Sequence, residues 1–230
     1  MSNVVIYPQH FVDRLHIVWG NGFLSPGGPQ EVMKIVDGID FSGKSVLDVG
    51  CGSGGPAIVL AQETDASLIV AIDIQQALLD QGASFARKAA VSSRLEFKLV
   101  EPGPLPFEDN TFDVVFSKDS LIHFADKELI YREIIRVLRP CGAFVASDWL
   151  GGENTSSSPE WARFIELSQH AFSMATAEQT LATMSVAGFV NVFARDRNEW
   201  YTRLAEHDLK QVEGPLREPL IDAAGQDIYE

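Results

Sequence analysis

Residues 46–55, with the sequence VLDVGCGSGG, join a short apolar run to a glycine-rich turn. Asp48 lies near the end of the run, and glycines occupy positions 50, 52, 54 and 55. Glycines between a strand and a helix let a ligand approach the backbone and the helix N-terminus closely. The stretch therefore predicts a strand, a ligand-binding turn and a helix, which together form the first unit of an α/β fold.

Short β-branched runs alternate with helix-like segments from Ser45 onward, a pattern typical of a parallel sheet covered on both faces. The predicted strands are SVLDVG (45–50), SLIVAID (67–73), LEFKLV (95–100), FDVVFS (112–117), GAFVASD (142–148) and NVFARD (191–196). The predicted helices span residues 56–62, 76–90, 127–138 and 159–187. The last one breaks near Thr176, where Gln179 completes a capping box. We therefore expect an α/β fold, a Rossmann-like sheet with helices on both faces.

A small helical cap is predicted for residues 1–40, ahead of a main domain that occupies 41–230. Within the cap, an apolar stripe at helical spacing is formed by Val32, Ile35, Val36 and Ile39. Packing against the core is the simplest role for this stripe. The segment GGENTSSS (151–158) follows a predicted strand, so it either borders the ligand site or is a solvated connection.

The composition bounds the function classes. Lys and Arg total 18 against 32 Asp and Glu, which gives a formal net charge of −14 and disfavours a nucleic-acid partner. No basic leader precedes an apolar run, and no stretch approaches the roughly 18 apolar residues of a membrane span. Cys51 and Cys141 both lie in glycine-containing turns and are not expected to pair. A cytoplasmic protein without membrane partners is expected.

The glycine turn alone leaves two cofactor classes open. Gly50, Gly52 and Gly55 satisfy the dinucleotide pattern G-x-G-x-x-G, and Asp73 lies at the right distance to hold a ribose in either case. Asp48 separates the two interpretations, since a carboxylate beside the turn would repel a pyrophosphate but attract a cationic cofactor. This favours S-adenosylmethionine over a nicotinamide dinucleotide.

Four ordered motifs between Val46 and Asp148 make the resemblance specific: DVGCGSGG, AIDI, PFEDNTFDVVFSKD and RVLRPCG. Together they resemble the motif series of class I S-adenosylmethionine-dependent methyltransferases. The resemblance implies that the glycine loop meets the methionine part of the cofactor and that Asp73 holds the ribose. Glu101 takes the place near the adenine, although the family more often has a shorter acid there. The cofactor site predicted from these motifs consists of Ser25, Asp48, Gly50, Cys51, Gly52, Asp73, Ile74, Glu101 and Ser117.

Three further segments narrow the resemblance: WGNGFLSPGG (19–28), SKDSLIH (117–123) and SDW (147–149). They are similar to phosphoethanolamine N-methyltransferases and, more loosely, to sarcosine/dimethylglycine methyltransferases. This likeness implies that Ser25 touches the cofactor and that Tyr7 and His123 close over the substrate as a pair. It also implies that Asp119 lies near the substrate nitrogen.

The spacing of Asp119 and His123 agrees with a shared role. If the segment after the fourth strand is helical, the i, i+4 spacing places both side chains on one face. An acid and an imidazole suit an amine that must lose a proton before it attacks. The competing interpretation is a helix N-terminal acid with an incidental histidine. Trp149 could offer a π face to an ammonium group or be a core aromatic residue.

Departures from the phosphobase enzymes bear on the substrate. His170 and Phe172 stand where that family has an Arg and a Tyr that bind phosphate, so the phosphate clamp is expected to be absent. Both residues remain candidate substrate contacts. His10, His16 and His207 lack ligand spacing, so no metal is expected. The C-terminal hairpin partner of the sixth strand is also missing, and we expect the natural chain to continue beyond Glu230 or another element to cover that edge.

The sequence thus predicts methyl transfer from S-adenosylmethionine to a nitrogen of a small amine or amino-acid-like acceptor. Tyr7, Asp119 and His123 are the predicted catalytic and substrate-ordering residues, with Trp149 lining the pocket. One alternative is a small-molecule O-methyltransferase with His123 as the base. Another is an NAD-dependent oxidoreductase that uses the same glycine loop, and a third is a cofactor-binding protein without catalysis.

Overall fold

A computed structural model describes residues 6–152, 155, 158–168 and 172–225. Its centre is a parallel sheet of β1 (Ser45–Val49), β2 (Leu68–Asp73), β3 (Leu95–Leu99), β4 (Phe112–Lys118) and β5 (Leu138–Ser147). The strand order is β3-β2-β1-β4-β5, and every adjacent pair is parallel. The central strands are almost wholly apolar because both of their faces are buried. The predicted Rossmann-like α/β fold is confirmed.

Helices follow the strands and cover both faces of the sheet. They are α1 (Gln9–Trp19), α2 (Gly28–Ile35), α3 (Gly55–Glu63), α4 (Gln76–Lys88), α5 (Lys127–Val137), α6 (Pro159–Ser168), α7 (Ala177–Ala187), α8 (Asn198–Glu213) and α9 (Arg217–Ala224). Successive residues of a strand point to opposite faces, so Val46 joins the core beneath α3 while Leu47 joins the core beneath α5. Among the described residues, no helix is long and apolar enough to cross a membrane.

The segment before β1 folds against the sheet as two helices. Val32 and Val36 are buried, and Ile35 and Ile39 pack against the same core cluster, so the predicted apolar stripe is core packing. The second helix, α2, lies against α3, and α1 contacts α8 and α9 from the other end of the chain.

The predicted helix ends agree closely with the structure between residues 127 and 187, whereas β5 begins at Leu138, four residues before its predicted start. The predicted break near Thr176 separates α6 from α7, and both hydrogen bonds of the Thr176–Gln179 capping box are present. The predicted strand NVFARD (191–196) is wrong. Its first residue, Asn191, has a left-handed φ of 56°, and Phe193 is 79% exposed, so neither an extended backbone nor a buried face favours a strand there.

Candidate active site

A cavity of about 400 Å³ opens at the carboxyl ends of β1, β2 and β4. The sheet reverses its winding direction between β1 and β4, which is where open α/β sheets bind ligands. The lining includes most of the predicted site residues, among them Tyr7, Ser25, Asp48, Asp73, Asp119 and His123. Residues that lie far apart in the sequence, such as Tyr7 and His123, therefore meet in one cavity.

The glycine loop is held in place by backbone hydrogen bonds to β2. The N–H groups of Gly50 and Cys51 both donate to the carbonyl of Ile72, at 3.0 and 2.9 Å. Gly50 has φ 73°, and a Cβ at this position would overlap the Ser120 Oγ. Glycine is therefore required both by the turn and by the close approach of the segment after β4.

Asp73 fixes the same loop from the end of β2. Its Oδ2 accepts the Gly52 N–H at 2.9 Å, and its Oδ1 accepts the Gln75 N–H at 3.0 Å. Burial raises the pKa of Asp73, and these backbone N–H groups oppose that rise. Each carboxylate oxygen can accept a further hydrogen bond, so Asp73 can still receive a ligand hydroxyl at the cavity wall.

Asp48 is the most unusual charged group of the cavity. It is 1% exposed, and its Oδ2 has no hydrogen-bond partner among the described residues. Burial, together with the negative charge of Asp73, raises the pKa of Asp48 to about 8. A buried carboxylate without a partner is stabilised by a cation. The cavity therefore fits a positively charged ligand group, which would stabilise the ionised form of Asp48.

Most of the other predicted cofactor residues line the cavity, and one lies beneath its wall. Ser25, Cys51, Ile74 and Glu101 line the cavity, as do Gly50 and Gly52. Ser117 is fully buried, and its hydroxyl donates to the Val49 carbonyl at 3.0 Å. It thus supports the start of the glycine loop from below.

Tyr7 and His123 are brought together, as the family resemblance implied. The Tyr7 Oη lies 3.1 Å from the His123 Nε2, across 116 residues of sequence. Gln75 holds the Tyr7 backbone, donating to its carbonyl at 2.7 Å and accepting its N–H at 3.0 Å. Burial, followed by the charges of Asp73 and Asp119, raises the pKa of Tyr7 to about 12. The phenol therefore remains protonated beside the imidazole.

The predicted helical face shared by Asp119 and His123 is wrong. Asp119 has a left-handed φ of 54°, and only Leu121–His123 forms a single 3-10 turn. The Asp119 N–H donates to the Ser147 carbonyl at 2.7 Å, which continues the pairing of β4 with β5 and delays any helix. Both side chains still reach the cavity, but from a turn rather than from one helix.

Both oxygens of the Asp119 carboxylate accept hydrogen bonds from neighbouring side chains. Its Oδ1 accepts the Ser147 hydroxyl at 2.8 Å, and its Oδ2 pairs with the Lys118 Nζ at 2.6 Å. The side chains of Lys118 and Asp119 are 1% and 4% exposed. An acid in this setting is oriented before any ligand arrives.

Aromatic rings surround the far side of His123. The Phe172 ring lies 5.4 Å from the imidazole and 5.7 Å from the ring of Phe164, which also neighbours Trp149 at 6.3 Å. Trp161 stacks on Phe164 at 5.3 Å. Trp149 and Phe172 therefore belong to an aromatic cluster beside the predicted acceptor end. His170 lies outside the described residues.

Sequence reasoning missed several residues of the site. Lys118 and Gln75 hold predicted site residues, and Ser120 packs against Gly50. Lys118 had a visible signal, because a lysine that ends a buried apolar strand needs partners. Gln75 had none, since its contact with Tyr7 joins segments that lie 68 residues apart.

Comparison with known proteins identifies similar chains. A family model described as a methyltransferase domain matches residues 40–208. The chain is 32% identical over 216 residues to a phosphoethanolamine N-methyltransferase of Triticum aestivum, covering 93% of this chain and 41% of that protein. The chain spans less than half the length of the first curated relatives that it matches.

Two solved structures show the same fold. Haemonchus contortus phosphoethanolamine N-methyltransferase 2, in complex with phosphomonomethylethanolamine and S-adenosylhomocysteine, superposes with a TM-score of 0.85 at 23% identity, over 94% of this chain and 49% of that one. A Galdieria sulphuraria protein, provisionally assigned as a sarcosine dimethylglycine methyltransferase, gives a TM-score of 0.73 at 17% identity, over 96% and 92% of the two chains.

Proposed function

Because this chain belongs to the methyltransferase domain family, we propose that it transfers a methyl group from S-adenosylmethionine to the nitrogen of a small amine or amino-acid-like acceptor. The observation on which this depends most is the buried Asp48 carboxylate, whose Oδ2 has no hydrogen-bond partner among the described residues. A cationic donor would stabilise the ionised form of this carboxyl group. The relatives named above, with their phosphoethanolamine acceptors, support the nitrogen chemistry.

The cavity wall supplies groups for each part of the donor. Gly50 and Gly52 let its amino-acid part approach the backbone, and Asp73 accepts its ribose hydroxyls. Ser25 and Glu101 contact the two ends of the donor molecule, with Glu101 at the adenine end. When bound, S-adenosylmethionine supplies a methyl carbon that its sulfonium group already activates, so the protein mainly orients the acceptor and excludes water.

The pair formed by Tyr7 and His123 handles the acceptor. The amine must expose its lone pair, and the imidazole accepts or relays the proton that this requires. Tyr7 remains a neutral hydrogen-bonding group and fixes the imidazole through the 3.1 Å contact. Residues 6–40 act as the lid that brings Tyr7 over the cavity. Asp119 faces the acceptor nitrogen from the opposite wall.

The acceptor end favours a substrate without a phosphate. Phe172 lies beside His123 at 5.4 Å, where a phosphate clamp would need a hydrogen-bonding group. Aromatic rings stabilise an alkylammonium group or a small apolar substituent. We therefore expect amines, amino acids or their methylated forms as acceptors rather than phosphoethanolamine.

Two measurements test this function. Calorimetry with S-adenosylhomocysteine and with NAD should show binding of the former, because its ammonium group stabilises the ionised form of Asp48 and the pyrophosphate of NAD does not. A methyl-transfer assay with labelled S-adenosylmethionine, run against amines, amino acids, phosphoethanolamine and phenols, should label an amine. Binding of NAD alone would overturn the proposal, and labelling of phenols alone would turn it into an O-methyltransferase.

His123→Asn tests the proposed proton transfer. We expect turnover to fall by about 100-fold, since general base catalysis contributes at least that much. S-adenosylhomocysteine affinity should stay within about twofold, because the glycine loop is untouched. His207→Asn, on the exposed side of α8, is the matched control and should change neither quantity. An unaltered rate in His123→Asn would remove this residue from the mechanism.

A further inference from the structure

Lys118 is a buried lysine whose ammonium group is fully hydrogen-bonded. Its Nζ lies 2.6 Å from the Ser25 Oγ, 2.9 Å from the Pro26 carbonyl and 2.6 Å from the Asp119 Oδ2. An ammonium group has three donors and no acceptor. The three contacts use all three protons, so Lys118 is bound in one orientation at the end of β4.

The charges around Lys118 balance one another. Glu31, whose side chain is 3% exposed, pairs with Arg197 at 2.7 Å, and the charge of Lys118 also acts on Glu31. Two cations therefore face two carboxylates in a buried cluster that joins α2, the end of β4 and the start of α8. Losing one member alone leaves an uncompensated buried charge, which is strongly destabilising.

The lysine determines what the Ser25 hydroxyl can do. An ammonium group only donates, so the Ser25 oxygen must accept from it. The hydroxyl proton of Ser25 is then directed away from Lys118. Since Ser25 lines the cavity, this proton is available to an acceptor atom of a ligand, such as a carboxylate.

The same lysine fixes the orientation of Asp119. Asp119 has a left-handed φ of 54°. One of its carboxylate oxygens accepts from Lys118 and the other from Ser147. Ser25 belongs to the segment before β1, whereas Asp119 follows β4. One ammonium group thus links the donor side of the cavity to its acceptor side.

We propose that Lys118 is a positioning residue for methyl transfer, which makes Ser25 a hydrogen-bond donor toward the carboxylate of the methyl donor and holds Asp119 against the acceptor. This proposal rests on the proposed function, because it assigns Ser25 and Asp119 to a donor and an acceptor. A lysine that merely fastened the N-terminal segment to the sheet would not couple the two sides.

A double-mutant cycle tests the link to Ser25. S-adenosylhomocysteine binding is measured by calorimetry for the unaltered chain, Ser25→Ala, Lys118→Met and the double variant. We expect each single change to weaken binding by about tenfold, the worth of one hydrogen bond to a charged group. The double variant should bind S-adenosylhomocysteine no more weakly than the single variant with the lower affinity. Losses that multiply would show that Lys118 does not act through Ser25 and would overturn the proposal.

The same cycle on an Asp119→Asn background covers the case in which Lys118→Met does not fold. Removing both charges leaves no unpaired carboxylate beside position 118, and replacing both partners is tolerated far better than replacing one. The expected non-additivity with Ser25→Ala is the same. If the unaltered chain binds no S-adenosylhomocysteine, the proposed function fails first. Binding by the unaltered chain with multiplying losses contradicts only the role of Lys118.

Kinetics test the link to Asp119. In the labelled assay we expect Lys118→Met to lower kcat by about 100-fold, as for a misplaced reacting group. Lys118→Arg should recover part of this loss, since a guanidinium keeps the positive charge and its donors. Lys44→Met, which removes an exposed lysine paired with Asp40, is the control and should leave kcat unchanged. A kcat equal to that of the control in Lys118→Met would overturn the proposal.

Discussion

At the scale of single residues, the site contains two carboxyl groups, Asp48 and Asp73, whose ionised form is destabilised by burial. The pKa values of Asp48 and Asp73 are both raised, and burial is the larger cause for each. Asp73 is compensated by two backbone N–H groups, whereas the Oδ2 of Asp48 has no partner among the described residues. A bound cation would remove that penalty, so ligand affinity and stability are linked through Asp48.

The pH dependence of stability follows from Asp48. In the folded chain the Asp48 carboxyl stays protonated up to about pH 8. In the unfolded chain it has the ordinary aspartate pKa of 3.8, so it is already ionised at pH 5. The folded state therefore binds one more proton in this interval, and stability declines as the pH rises through it. Asp48→Asn cannot ionise and escapes the decline. Its advantage in Tm over the unaltered chain should grow by about 10 °C between pH 5 and pH 8.

Thermal unfolding across this pH range measures the effect. Asp80→Asn, an exposed position on α4, is the control and should show a constant difference from the unaltered chain. Calorimetry at pH 8 should also show S-adenosylhomocysteine binding that is about tenfold weaker in Asp48→Asn, as for loss of a charge-assisted contact. A Tm difference that is the same at both pH values would contradict the buried, unpartnered state of Asp48.

At the scale of elements, the N-terminal segment is fastened to the cavity at several points. Gln75 holds the Tyr7 backbone with two hydrogen bonds, and the His16 Nε2 on α1 lies 2.8 Å from the Ser53 Oγ in the glycine loop. The Trp19 indole donates to Asp208 on α8 at 3.0 Å. The first two contacts join the segment from Tyr7 to His16 to the loops after β2 and β1, and the third joins α1 to α8, which agrees with the proposed lid.

Replacing Gln75 should loosen the proposed lid. Gln75→Ala removes both side-chain bonds to Tyr7, each worth about 1 kcal/mol, so backbone amides of residues 7–16 should exchange about 30-fold faster. The KM for the acceptor should rise because Tyr7 no longer stays over the cavity. Hydrogen exchange and steady-state kinetics provide the measurements. Gln76→Ala, which loses only an exposed contact with Asp80, is the neighbouring control. Equal exchange in the two variants would count against the lid.

At the scale of the whole molecule, acidic charge and exposed apolar groups act in opposite directions. A formal charge of −14 keeps copies of the chain apart. Three exposed apolar residues lie at the end of α7 and shortly after it. They are Val186, Val190 and Phe193, which are 65%, 81% and 79% exposed. Apolar side chains in this density favour association with other surfaces.

Phe193→Asp should reduce self-association. Burying one phenylalanine contributes about 2 kcal/mol, so the change should weaken association between copies by about tenfold or more. Sedimentation at several protein concentrations measures this, and salt should strengthen association of the unaltered chain by screening its charge. Leu209→Asp, on the exposed face of α8, is the control. If both variants behave alike, the Phe193 region is not the associating surface.

The sequence by itself determined the elements that depend on local pattern. Apolar runs placed β1 to β5, the Thr176–Gln179 spacing placed the start of α7, and the glycine loop with Asp48 and Asp73 placed the donor end of the cavity. These features follow from periodicity, capping and turn chemistry, which act over a few residues.

Only the tertiary structure decided the long-range contacts and the local conformations that they impose. The turn at Asp119 replaces the expected helix because its N–H continues the pairing with β5, and NVFARD is not a strand despite its apolar Val192 and Phe193. Lys118 and Gln75 gained roles through partners at Ser25 and Tyr7, far away in the chain. Such contacts depend on which segments the sheet brings together, and no local pattern records that.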